Sequence, residues 1–174
     1  ALGISADVYV SQGDYNVEIT GPEKSIDKVE LEVNGGTLGI GTKRGTRNWN
    51  SRGVKVYVTM PNLSSIAIGG SGDVKVEDAL NNMGKLSISV GGSGNVDIAG
   101  KAKSIEVSVA GSGDVDASGV DADRAEISIA GSGNVKVGTV DKLEASIAGS
   151  GDVYYKGNPS VKKSVVGSGD IRKL

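Results

Sequence analysis

One pentapeptide, G-S-G-[DN]-[VI], recurs six times in this chain, beginning at Gly70, Gly92, Gly111, Gly131, Gly149 and Gly167. Successive copies start 22, 19, 20, 18 and 18 residues apart. That period matches one coil of a β-solenoid and is too short for a propeller blade or a helical-repeat pair. Each unit places an alternating strand before the glycines, as in Leu86-Ser87-Ile88-Ser89-Val90, and a short strand after them, as in Val96-Asp97-Ile98. Alternation with period two marks strands with one buried and one exposed face.

The periodicity therefore predicts a right-handed parallel β-helix, a single-stranded, all-β solenoid of about 18–22 residues per coil. Its inward column before the corner holds Ile68, Val90, Val109, Ile129, Ile147 and Val165. After the corner the inward column holds Val74, Val96, Val115, Val135, Val153 and Ile171. Stacked in this way, neighbouring coils bury one continuous core.

Two glycines around a serine suit a corner that needs positive φ or close approach between coils, because glycine has no Cβ to clash. The Asp or Asn that follows is expected to bond nearby backbone groups and settle the turn. Asn95 and Asn134 alternate with Asp73, Asp114 and Asp152. Carboxylates about 5 Å apart repel by about 0.8 kcal/mol even in water, and an interposed Asn roughly halves that. Calcium-binding β-rolls use a related glycine nonapeptide, but here the Asp comes one position early and the turn appears once per coil. No metal or other cofactor is expected.

Composition narrows the chemistry further. The 174 residues are enough for one domain with a core that buries roughly 70% of the unfolded surface. Cys and His are absent, which removes thiolate chemistry, the commonest general base and the commonest transition-metal ligand. A formal net charge of -2 gives no footprint for a phosphate backbone, so no nucleic-acid partner is expected. No stretch approaches the 18 apolar residues of a membrane-spanning helix.

Residues 1–63 lack the motif but alternate in the same manner at Val8-Tyr9-Val10, Val17-Glu18-Ile19, Val29-Glu30-Leu31-Glu32-Val33 and Val54-Lys55-Val56-Tyr57-Val58. They read as irregular first coils or a capping sheet, continuous with a regular solenoid over 64–174 in a single domain.

The six corners resemble the autotransporter-adhesin head GIN domain family of Gram-negative envelope proteins. The resemblance extends to the opening strands around Val8-Tyr9-Val10 and Val17-Glu18-Ile19, to Gly36-Thr37-Leu38-Gly39-Ile40, and to Val56-Tyr57-Val58-Thr59-Met60-Pro61-Asn62-Leu63 leading into the first corner. It implies a β-helical fold, export to the periplasm, outer membrane or cell surface, and a role in adhesion or envelope structure. It carries over no catalytic residue.

Three exposed places are candidates for function. The loop 41–53 holds the only Trp, Trp49, with Arg44, Arg47 and Arg52, residue types enriched at binding hot spots. A second candidate is the outward column after the corner, which stacks Lys75, Asp97, Asp116, Lys136, Tyr154 and Arg172. Asp97 and Asp116 would stand about 5 Å apart, close to the separation in retaining glycosidases, though without flanking aromatics. The third is a flat face of Ser89, Ser108, Ser128, Ser146 and Ser164 beside Gly91, Ala110, Ala130 and Ala148, suited to solvent or to a second copy of the chain. The expected function is a non-catalytic surface or envelope module that binds a host or envelope glycan or protein. The alternatives are a pectinase-like lyase or hydrolase at Asp97 and Asp116, and a pure assembly scaffold.

Overall fold

A computed structural model describes residues 1–46 and 51–174. Its strands are β1 (Asp7–Gln12), β2 (Asn16–Thr20), β3 (Val29–Asn34), β4 (Thr37–Thr42), β5 (Lys55–Met60), β6 (Ser65–Ile68) and β7 (Val74–Val76), with one helical turn, α1 (Glu23–Ile26), between β2 and β3. The longer strands follow: β8 (Leu80–Val90), β9 (Val96–Gly111), β10 (Val115–Gly131) and β11 (Val135–Gly149), then β12 (Val153–Lys156), β13 (Ser160–Gly167) and β14 (Ile171–Lys173).

The strands stack as parallel coils. Ahead of the corner, the flat face runs β6, β8, β9, β10, β11, β13, with Ile66, Ile88, Val107, Ile127, Ala145 and Lys163 in one register. Beyond it, a second face runs β7, β9, β10, β11, β12, β14, with Val74, Val96, Val115, Val135, Val153 and Ile171 in register. Both valine and isoleucine columns exist as the alternation requires. Their members are buried except in the last described coil, where no coil lies above among the described residues: there Lys163 is exposed, and Val165, above Ile147, is 39% exposed.

The long strands turn a further corner that the sequence pattern did not mark. Register shifts between Asp116 and Gly119 and between Ala117 and Ala122 separate a third short segment, which adds Leu80, Val120 and Val140 to the core. Gly100 and Gly138 sit at this corner, and a Cβ on either would strike the carbonyl oxygen of Leu80 or Val120 one coil below.

At the G-S-G corners the glycine requirement is steric on both sides of the serine. Gly111, Gly131, Gly149 and Gly167 have φ between +130° and +151°, a region L side chains avoid. A Cβ on any of them, or on the second glycines Gly94, Gly113, Gly133, Gly151 and Gly169, would fall closer than 3.0 Å to the backbone of the corner beneath. The coils are thus packed backbone on backbone there.

The beginning of the chain is not the beginning of the stack. β1 is parallel to both β5 and β7 and lies between them, while Leu2 bridges Ile40 on one side and Ile68 on the other. The coil order is therefore the described residues of 28–46 and 51–60, then 1–12, then 64 onward. Below it, β2 closes one face antiparallel to β5, and β3 closes the other antiparallel to β4. Val8, Val10, Val56 and Val58 are buried where these layers meet.

Candidate functional site

The residue after each corner builds a ladder along the solenoid axis, and its bonding differs from the local turn expected. Asp73 Oδ1 accepts from the backbone N–H of Asn95 at 2.8 Å and from Asn95 Nδ2 at 2.9 Å. Asn95 Oδ1 then accepts from the Asp114 backbone at 3.0 Å, and Asp114 Oδ1 accepts from Asn134 N at 2.7 Å and Nδ2 at 3.0 Å. Asn134 Oδ1 accepts from Asp152 N at 3.1 Å, and Asp152 Oδ1 from Asp170 N at 2.8 Å. Each side chain thus serves the coil above it. Only Asp170, with no coil above among the described residues, turns to the local N–H of Ile171, at 2.7 Å.

The alternation has a chemical reason beyond spacing charge. A carboxylate only accepts, whereas an amide also donates, so each Asn supplies a second bond to the Asp beneath it. Where two Asp are adjacent, a cation takes over: Arg172 donates to Asp152 Oδ2 at 2.7 Å, and the Tyr154 hydroxyl donates to the same oxygen at 3.0 Å. The Asp170 backbone bond first, then Arg172 and Tyr154, outweigh desolvation and hold the Asp152 carboxyl below its ordinary value.

Beside this ladder runs the outward column. Its pairs Lys75–Asp97, Asp97–Asp116, Asp116–Lys136, Lys136–Tyr154 and Tyr154–Arg172 are all in register, as the repeat spacing requires. Non-sequential stacking extends the column downward: Tyr9 lies beneath Lys75, Tyr57 beneath Tyr9, and Glu18 beneath Tyr57. The rings of Tyr9 and Tyr57 stack with centroids 5.1 Å apart and planes at 17°. Lys55 Nζ lies 5.7 Å from the Tyr9 ring centre, and the Arg172 guanidinium 5.2 Å from that of Tyr154. Aromatic groups therefore stand at both ends of the two carboxylates, on the face where sequence reading placed none beyond Tyr154. Tyr9 and Tyr57 were missed because they lie 66 and 18 residues before Lys75 in the chain, outside the repeat.

Between the tyrosines, Asp116 Oδ2 lies 3.2 Å from Lys136 Nζ, and its Oδ1 accepts from Ser118 N at 3.0 Å. Burial pushes the Asp116 carboxyl up, but Ser118 and Lys136 together prevail and leave it below its ordinary value. A carboxyl held ionised in this manner is poorly suited to donate a proton.

The other candidates fall elsewhere. Arg44 is exposed beside the turn in which the Thr46 hydroxyl donates to the Lys43 carbonyl at 2.6 Å. Arg52 is exposed where the chain enters β5, and Arg47 and Trp49 lie outside the described residues. On the flat face Ser89, Ser108, Ser128, Ser146 and Ser164 are in register and exposed. Alongside them, Glu144 pairs with Lys162 at 2.6 Å and with Arg124 at 3.5 Å. The Lys162 hydrogen bond and charge draw the Glu144 carboxyl below its ordinary value. Among the described residues no three His, Cys, Asp or Glu side chains converge on a metal-sized site, and no helix is long and apolar enough to cross a membrane.

One concavity was not anticipated. An apolar cleft of about 150 Å³ opens where the first layers meet, lined by Leu2, Ile40, Val58, Met60, Leu63 and Ile66 among others.

These features define a glycine-cornered parallel β-solenoid that presents a rigid column of tyrosines and alternating charges. Residues 1–159 match the family described as "Putative auto-transporter adhesin, head GIN domain", and the chain belongs to it. A structure of a putative adhesin from Bacteroides fragilis is similar at a TM-score of 0.78 and 24% identity, over 99% of this chain and 90% of that one. A putative lipid binding protein from Parabacteroides distasonis is similar at a TM-score of 0.67 and 27% identity, over 99% and 91%. A putative adhesin from Parabacteroides merdae has a TM-score of 0.58 at 20% identity, over 99% and 90%. The curated proteins give no match.

Proposed function

We propose that this chain is a non-catalytic binding module of the bacterial envelope or cell surface, and that the tyrosine-and-charge column is its binding face. The observation that carries the reading is the continuous register from Tyr57 and Tyr9 through Asp97 and Asp116 to Tyr154. It fixes half-exposed rings and charges on strands, where little conformational entropy is lost on binding. Planar tyrosine platforms flanking polar groups suit a glycan chain laid along the axis, and membership in an adhesin family agrees with that use. The 41–53 loop, with Arg44, Arg47, Trp49 and Arg52, is a second contact region in this proposal.

The rival within the same face is hydrolysis or elimination at Asp97 and Asp116. Against it stands the Asp116 carboxyl, engaged by Lys136 and Ser118. The two readings separate when the purified protein is incubated with immobilised polygalacturonate and with a panel of host and bacterial glycans. Retention without new reducing ends or unsaturated uronates, abolished by Tyr9→Ala with Tyr57→Ala, is the expected result. Product formation that Asp97→Asn removes would make the chain an enzyme.

The apolar cleft favours a second reading, in which the module holds the apolar end of an amphiphile, as the name of the Parabacteroides distasonis neighbour suggests for that protein. A fluorescent fatty acid that gains emission with wild type but not with Leu63→Arg would support it.

A further inference from the structure

Apart from Tyr15 in the turn between β1 and β2, the large hydrophobic side chains exposed among the described residues lie at the two ends of the stack, Val17, Leu31 and Val33 at one and Val161, Val165, Val166 and Leu174 at the other. They sit on or beside open strand edges: among the described residues β3 pairs only with β4, β2 only with β5, β13 only with β11, and β14 only with β12. An unpaired edge with apolar side chains is a template for another strand.

The two ends match. β3 and β13 are the opposite edges of the flat face, and β2 and β14 are the opposite edges of the face beyond the corner. On the core-facing side Leu31 lies across from Ile40, and Val161 and Val165 lie across from Leu143 and Ile147, so both ends display the cut surface of the core. Charge is opposite as well. β2 and β3 carry Glu18, Glu30 and Glu32 and no cation, while β13 and β14 carry Lys162, Lys163, Arg172 and Lys173 and no acid.

We propose that a second copy of this chain docks on these ends, head to tail, with β3 and β2 of one protomer continuing the sheets that end at β13 and β14 of its partner. In that arrangement Glu18 extends the column ending at Arg172, and the Glu30 and Glu32 edge faces Lys162. The apolar edges cover each other. Because the two surfaces differ, the contact is heterologous and propagates along the axis instead of closing as a dimer.

Sedimentation velocity of the chain at rising concentration, in low and high salt, tests this with two charge-reversal variants, Glu30→Lys with Glu32→Lys, and Lys162→Glu with Lys163→Glu. Circular dichroism checks that both variants keep the fold. Wild type should form species that grow with concentration and shrink with salt. Each variant alone has like charges at both ends and should stay monomeric, whereas mixing the two should restore association. A wild type that stays monomeric throughout would overturn the proposal, with the lysines then serving to keep the edge apart. A species that stops at two chains would overturn it too, as would a mixture that fails to associate. Association unchanged in both variants would place the contact elsewhere, such as the flat serine face.

Discussion

The backbone N–H of Asp114 donates to Oδ1 of Asn95 over 3.0 Å, across 19 residues of sequence and one step of the stack. Bonds of this kind tie each corner to its neighbour, and the chemistry of the rung decides how many bonds it makes. Asn134 gives two to Asp114 and receives one from Asp152.

Replacing Asn134 by Asp removes the Nδ2 donor to Asp114 and sets a run of carboxylates from Asp114 to Asp170 with no amide among them, leaving Arg172 and Tyr154 at Asp152 as the side-chain donors described there. The expected loss at pH 7 is about 1 kcal/mol. The deficit should shrink as acid protonates the new carboxylate, because a protonated carboxyl can donate. Urea unfolding midpoints at pH 7 and pH 4 measure it, and equal midpoints for variant and wild type at pH 7 would contradict the ladder.

The corner glycines are predicted to tolerate no side chain. Gly113→Ala places a Cβ against the Gly94 carbonyl, which belongs to backbone and cannot swing aside. A loss of about 1–3 kcal/mol is expected, typical of overpacking. Gly84→Ala is the control, since nothing lies within 4 Å of its added Cβ, and its effect should stay within about 0.5 kcal/mol. Denaturant midpoints of the two variants provide the comparison.

Acid should loosen the stack through its depressed carboxyls. Asp152 and Asp116 are both held below their ordinary value of 3.8. A carboxyl whose folded value is lowered adds stability above its unfolded value, and that stability is lost as pH falls through the folded one. The unfolding midpoint should therefore hold near pH 7 and fall between about pH 5 and pH 2. Asp152→Asn keeps an oxygen for the Asp170 N–H but gives up the ion pair with Arg172, so its midpoint should fall less steeply over that range. A variant slope as steep as wild type would assign the acid response to other groups.

How much of this was legible in the sequence depends on where the repeat reaches. Val74, Val96 and Val115 could be placed on one inward column from spacing alone, because period-two alternation and a fixed corner leave a strand only one way to face the core. The partner of Asn95 could not, since Asx side chains bond local and stacked backbone equally well and composition does not choose between them. Tyr9 and Tyr57 are invisible for another reason: residues 1–63 lack the corner motif that sets register, and β1 inserts between β5 and β7, out of chain order. Val165 was assigned to the core by its motif and is exposed by its position in the last described coil.

Crosslinking across the flat face tests the coil register most directly. The chain has no cysteine, so an introduced pair reports on itself alone. Ser128 and Ser146 are register partners in adjacent coils, about 4.8 Å apart, within disulfide reach. Ser108 and Ser146 are two coils apart, about 9.6 Å, beyond that reach. Oxidation of Ser128→Cys with Ser146→Cys should therefore close an intrachain disulfide in the folded protein, while Ser108→Cys with Ser146→Cys should keep its thiols free. The reverse pattern, or equal closure of both pairs, would contradict the stacked-coil account.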